Sequence, residues 1–188
     1  MVDTTNPAAD DTVPAVAAIL HDGQQDVDAM LAEFARTQRD AGRRVRGLTM
    51  RSRCGDDGCQ AAMVLIDLHR GDEYLVSQPL GSGSVACSAD PQGFARASRV
   101  LREALAERPD LVICNRFGGL EATGGGFASE LLALLAEGIP VLTVVAARYA
   151  DAWQRFVGQA PMLPCEPAAW AAWLDSLAGS PAPGAAAG

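Results

Sequence analysis

A chain of 188 residues, 49% apolar and 20% charged, can bury one domain-sized core and has the composition of a folded protein rather than a disordered one. Its net charge of −8 excludes general nucleic-acid binding, which needs a broad positive surface. It contains no lysine, which excludes Schiff-base chemistry, a lysine general base and the lysine that grips phosphate in a P-loop.

Residues 1–12 read as a loose polar arm and residues 178–188, "AGSPAPGAAAG", as a disordered tail, leaving a single α/β domain over 13–177. The apolar run 13–20 suits a buried strand. Asp26 can cap a helix in which Val27, Met30, Leu31 and Phe34 follow helical spacing, and Gly42 ends it. A second strand is expected over 45–50. "AMVLIDL" and "EYLVSQ" flank "HRGD" and read as a β-hairpin. "LGSGSVACSAD" reads as a loop, after which Asp90 and Pro91 fit the N-cap and first position of a helix stopped by "RPD". A strand over 111–114, a helix over 127–137, a strand over 140–145, a short helix around Trp153 and a last helix after Glu166 and Pro167 complete the chain.

Strands that alternate with helices, and that are apolar throughout rather than in alternation, indicate a three-layer α/β fold with a mainly parallel sheet, the hairpin being an antiparallel insertion. Ligands in such sheets gather outside the carboxyl ends of the strands, which selects the loops 21–26, 51–60 and 115–126. No apolar run approaches the ~20 residues that span a bilayer. The amino terminus lacks the basic start and apolar stretch of a signal peptide, so a cytoplasmic protein without membrane insertion is expected.

The loop 115–126 carries the densest chemistry. Asn115 and Arg116 leave a strand end, Gly118 and Gly119 follow, and Thr123 precedes Gly124, Gly125 and Gly126 at the start of a helix. Unpaired N–H groups at a helix start, glycines that let a ligand approach the backbone and a guanidinium fork together suit a small oxoanion. A tight turn is the competing reading. Glu121 could orient a water or a metal and is a candidate catalytic residue, as is Asp22; Glu121 also repels a bare anion. The first loop, His21, Asp22 and Gly23 onward, holds one glycine and two Asp where a P-loop would cradle phosphate. His21 and Asp22 are candidate ligand residues there, against a reading as ordinary loop polarity.

Five cysteines, at 54, 59, 87, 114 and 165, do not form an even disulfide framework, and a reducing compartment suits them. Cys54, Cys59 and Cys87 would meet if the hairpin folds back, and neighbouring arginines favour thiolate, hence a soft metal or redox role. Cys114 reads as packing.

The stretch 111–145, "LVICNRFGGLEATGGGFASELLALLAEGIPVLTVV", resembles a bacterial family, domain of unknown function number 2478, as do "AAILHDGQQDVDAMLAEFA", "SQPLGSGSVACSADP" and "WQRFVG". The resemblance spans about residues 14–160. It implies a layout similar to P-loop nucleoside triphosphatases, genes beside those for molybdate transport, and a role in molybdenum handling. The family pattern commonly has lysine where this chain has Arg116, and often another where it has Gly119. Asn115 stands where a related triphosphatase keeps an acidic metal-binding residue, so magnesium-dependent hydrolysis lacks its usual groups.

The expectation is an accessory or binding protein that holds molybdate or a nucleotide phosphate at the glycine-rich loop, with a homo-oligomer or a molybdenum-pathway protein as partner. A triphosphatase-like enzyme and a cysteine metal or redox site are the alternatives.

Overall fold

The computed structural model describes residues 14–53, 62–79 and 87–178. β1 (Val16–His21), β2 (Val45–Arg53), β7 (Leu111–Phe117), β8 (Val141–Ala146) and the two-residue β9 (Met162–Leu163) form a parallel sheet extended by the antiparallel hairpin β3 (Ala62–Asp67) and β4 (Glu73–Leu75). Strand order is β4-β3-β2-β7-β8-β1-β9, so a three-residue strand and a two-residue strand form the two edges. The α/β class, the mainly parallel sheet and the antiparallel insertion agree with the P-loop-like layout.

Helices cover both faces. α1 (Val27–Asp40) and α6 (Pro167–Ala178) pack on one face with Ala17, Ile19, Ile113 and Val144. On the other, α2 (Pro91–Glu107), α4 (Ala128–Ala136) and α5 (Ala150–Val157) pack with Ala18, Val112, Cys114 and Val145. Successive side chains of a strand point to opposite faces, so a strand buried on both must be apolar at every position. Val16–Ile19 of β1 and Leu111–Cys114 of β7 meet that requirement, as does β8 apart from Thr143, whose buried hydroxyl donates to Cys114 O.

The helix boundaries have local causes. The Asp26 carboxylate accepts from the Ala29 N–H at 3.1 Å, and Asp90 accepts from Gln92 N–H at 3.0 Å with Pro91 as the first residue of α2. α1 ends as the Gly42 N–H donates to Arg39 O at 2.9 Å with φ +88°. α2 ends on Arg108, whose guanidinium holds the Glu137 carboxylate at 2.6 Å and its carbonyl at 3.0 Å.

Several elements differ from expectation. "EYLVSQ" splits at Val76, because the Val76 N–H bonds back to Met63 O while Ser77–Pro79 (β5) pairs with Cys87–Ala89 (β6) as a separate two-stranded ladder. β6 lies in the stretch read as loop. β2 runs to Arg53, so residues 51–53 are strand rather than ligand loop. β7 continues three residues past Cys114, taking Asn115 and Arg116 into the strand, and a four-residue helix, α3 (Gly119–Ala122), follows it. The described chain is helical through Ala178, the first residue of the expected tail; residues 1–13 and 179–188 lie outside the described residues.

Candidate functional site

Between Cys114 and Phe117 the β7–β8 ladder slips: Cys114 pairs with Thr143 but Phe117 pairs with Val145, three steps on one strand against two on the other. A bulge of this kind re-aims side chains. Here both Asn115 and Arg116 reach Asp28 in the first turn of α1. Asn115 Nδ2 donates to Asp28 Oδ1 at 2.8 Å, and Arg116 Nη2 donates to both carboxylate oxygens at 3.0 Å. A carboxylate in a first helical turn is also favoured by the helix dipole.

Asn115 is 2% exposed. A carboxylate only accepts hydrogen bonds, so the amide NH2 must face Asp28 and Oδ1 must face away. That Oδ1 is buried without a partner, as are Arg116 Nε and His21 Nε2. Buried polar atoms are ordinarily hydrogen-bonded, and unpaired ones at the carboxyl ends of β7 and β1 mark a place built to receive something polar. His21 Nδ1 accepts from the Gly23 N–H at 3.2 Å, which leaves the proton of the neutral ring on Nε2. Burial, then the charge of Arg116, lowers the His21 pKa; Asp28 opposes them.

Glu121 has a different place. It is 5% exposed; its Oε2 accepts from the Gly118 N–H at 3.0 Å and its Oε1 from the Phe127 N–H at 3.1 Å. The chain's own carboxylate thus sits at the helix start where an external anion was expected. Gly126, at φ +54°, is glycine for a steric reason as well: a Cβ there would stand 1.9 Å from Glu121 Oε1. The Gly124 N–H donates to Glu121 O at 3.1 Å and the Gly125 N–H to Leu120 O at 2.8 Å. The Thr123 hydroxyl donates to Gly119 O and Leu120 O, each at 3.0 Å. Burial raises the Glu121 pKa against the lowering effect of the backbone N–H groups it accepts from. Asp22 Oδ1 accepts from the Gln24 N–H at 2.9 Å, within the exposed first loop that holds Gly23.

Beside Asn115 and Arg116 opens a cleft of about 330 Å³. Gly118, Gly119, Leu120 and Glu121 border it, with Arg148 and Tyr149 beyond the end of β8 and an apolar wall that includes Met50, Met63, Phe94 and Phe127. Arg148 is exposed, lies 5.0 Å from the Tyr149 ring centre and makes no ion pair among the described residues. The structure therefore brings together His21, Asn115 and Arg116 from the sequence candidates and borders the cleft with Gly118, Gly119 and Glu121. His21, Asp22, Gly23, Thr123, Gly124, Gly125 and Gly126 do not line it.

Sequence reasoning missed Asp28, Arg148 and Tyr149. Arg148 and Tyr149 follow a parallel strand's carboxyl end, and that rule alone would have found them. Asp28 carried only the weak signal of an acid in a first helical turn.

The family model described as "Protein of unknown function (DUF2478)" matches residues 16–173. The chain belongs to this family. Over 143 residues the DUF2478 chain is 44% identical to "Molybdenum import ATP-binding protein ModC 2" of Bradyrhizobium diazoefficiens, a match that covers 76% of the chain and 16% of that relative. The chain thus spans about a sixth of the length of the relative it matches. No solved structure matches.

Cys54 and Cys59 lie outside the described residues of the DUF2478 chain, and Cys87 is described only as part of the β6 backbone. Among the described residues, no group of three or more His, Cys, Asp or Glu is placed to hold a metal. Cys114 is fully buried, and burial pushes its thiol well above the ordinary range. No described helix is long and apolar enough to cross a membrane.

Proposed function

We propose that this chain is an accessory binding domain of molybdenum import, holding molybdate or the phosphate of a nucleotide in the cleft beyond β7 and β8. The observation that carries the reading is Asn115: a fully buried amide with an unpartnered Oδ1, beside a buried, unpartnered Arg116 Nε, at the border of a cleft that also holds Arg148. Arg148 gives charge free of an ion pair among the described residues, and both guanidinium groups give forked donors suited to oxoanions. The molybdenum link rests on the likeness to part of a molybdenum import protein, and nucleotide phosphate enters because that relative is named as ATP-binding.

Binding without turnover is supported by what the candidate acids already do. Glu121 is buried with a backbone N–H on each carboxylate oxygen, and Asp22 lies in the exposed first loop outside the cleft lining, so one acid is engaged by the fold and the other lies off the cleft.

A ligand that binds only the folded state raises the melting temperature. Molybdate, sulfate, ATP and GTP, tested separately on ligand-free protein, should give a rise with molybdate or a nucleotide. Arg148→Ala, at an exposed residue whose side chain contacts the Tyr149 ring and makes no ion pair among the described residues, should change the unliganded melting temperature little and abolish the rise. The absence of any shift at millimolar ligand would refute the reading.

A further inference from the structure

We propose that the cleft takes a phosphate monoester carrying a flat ring, such as a nucleoside monophosphate, in preference to a bare oxoanion. The inference rests on the reading of this cleft as an anion site and narrows the class of ligand.

Size is the first reason. The cleft's volume of about 330 Å³ lies at the lower end of the roughly 300–1,000 Å³ range of small-molecule sites. Liquid water takes ~30 Å³ per molecule, so a five-atom oxoanion would leave most of this space to solvent. The wall is the second. Met50, Met63 and Phe94 are only partly buried, and Leu120 is 40% exposed at the border. Phe94 and Phe127 lie with ring centres 5.1 Å apart. Methionines and aromatic rings suit the flat face of a heteroaromatic group. A bare dianion placed against the same wall would lose water and gain no partner there.

The polar end points the same way. Asp28 already neutralises Arg116, which leaves Arg148 as the cleft's cation without an ion pair among the described residues. One unpaired cation, with Asp28 and Glu121 close by, suits a single phosphate group and disfavours a triphosphate. Asn115 adds a selective element. With its NH2 fixed on Asp28, it offers an acceptor, and an acceptor prefers a ligand that carries a proton. The hydroxyl of a phosphate monoester, a sugar hydroxyl or a ring N–H can donate to it; fully deprotonated molybdate cannot.

Isothermal titration of the full chain with adenosine 5′-monophosphate, riboflavin 5′-phosphate, riboflavin, inorganic phosphate and molybdate tests this. At least one ester should bind one-to-one and at least tenfold more tightly than phosphate, molybdate or riboflavin. Arg148→Ala should weaken that ester at least tenfold, and Leu120→Ser should weaken the ester while leaving inorganic phosphate unchanged. Molybdate or phosphate binding as tightly as the esters, and lost in Arg148→Ala, overturns the ester inference and leaves the anion site standing. Ester binding undiminished in Arg148→Ala overturns both, as does the absence of binding by every probe.

Discussion

Glu121 shows how one residue can decide what a loop is for. Its carboxylate fills the helix start that the glycines suggest for a ligand, and it ties Gly118 to Phe127 across nine residues of backbone. Glu121→Gln keeps the shape but turns an NH2 toward one of the two N–H donors. Leaving a buried donor unsatisfied costs ~1–3 kcal/mol, and a fall of that size in urea-derived stability at neutral pH is expected. The pH dependence follows from the raised pKa. The folded chain binds this proton more tightly than the unfolded one, so the group's contribution is greatest below its unfolded pKa and declines as pH rises through the folded value. The difference between native and Gln variant stabilities should therefore shrink with rising pH across that window; a flat difference would sink the assignment. Asp28 works oppositely on ligands. Its ion pair with Arg116 is part-exposed, with side chains 31% and 20% accessible, so Asp28→Asn should cost about 1 kcal/mol of stability. Arg116 loses its counter-charge in that variant, and affinity for inorganic phosphate should rise in the same titration.

Among the elements, α2 offers the sharpest contest between local preference and packing. Gly93 lies in its first turn, where Ala would favour the helix by up to ~1 kcal/mol. A Cβ there, however, would stand 2.0 Å from Leu75 O, a backbone atom of β4. Forcing such an overlap apart typically costs 1–3 kcal/mol and at times more, so Gly93→Ala should lower the urea midpoint with the slope unchanged. A more stable variant would show that α2 does not rest on β4. The elements legible in the sequence were those with chemical punctuation: Asp26 and Asp90 as caps, Pro91, Gly42 and the Gly-containing hairpin turn. β9 escaped because two residues carry no period, and β6 because its pairing with β5 lies across a connection of unlike composition. The end of β7 was misjudged for a physical reason. Asn115 and Arg116 look like loop residues, yet a bulge and a carboxylate on another helix hold them in the strand. The polar pair itself was legible at a strand's carboxyl end, whereas its partner Asp28, 87 residues away from Asn115 in sequence, depends on how α1 packs.

At the scale of the whole molecule, one of the two outer layers rests heavily on α6. Trp170 is fully buried, meets Phe34 edge-on with ring centres 5.5 Å apart and donates its indole N–H to Pro164 O at 2.8 Å. Trp173, 6% exposed, donates to Pro14 O at 3.3 Å, joining the two ends of the described chain. Trp170→Ala should cost ~3–5 kcal/mol, a large share of the 5–15 kcal/mol that holds a typical domain together. Equilibrium denaturation, followed by the remaining tryptophans, measures it; a loss below 1 kcal/mol would mean that α6 is a loosely attached layer.

The sheet's borders carry a consequence of another kind. β4 has three residues and β9 two, so each outermost strand offers a newcomer only a very short row of free backbone groups. Short borders of this sort discourage strand addition, the route by which sheets fuse or recruit extended peptides. Assembly through these two strands is therefore disfavoured. Contact is left to side chains on helix faces and at loop ends, where single substitutions can retune it without disturbing the sheet.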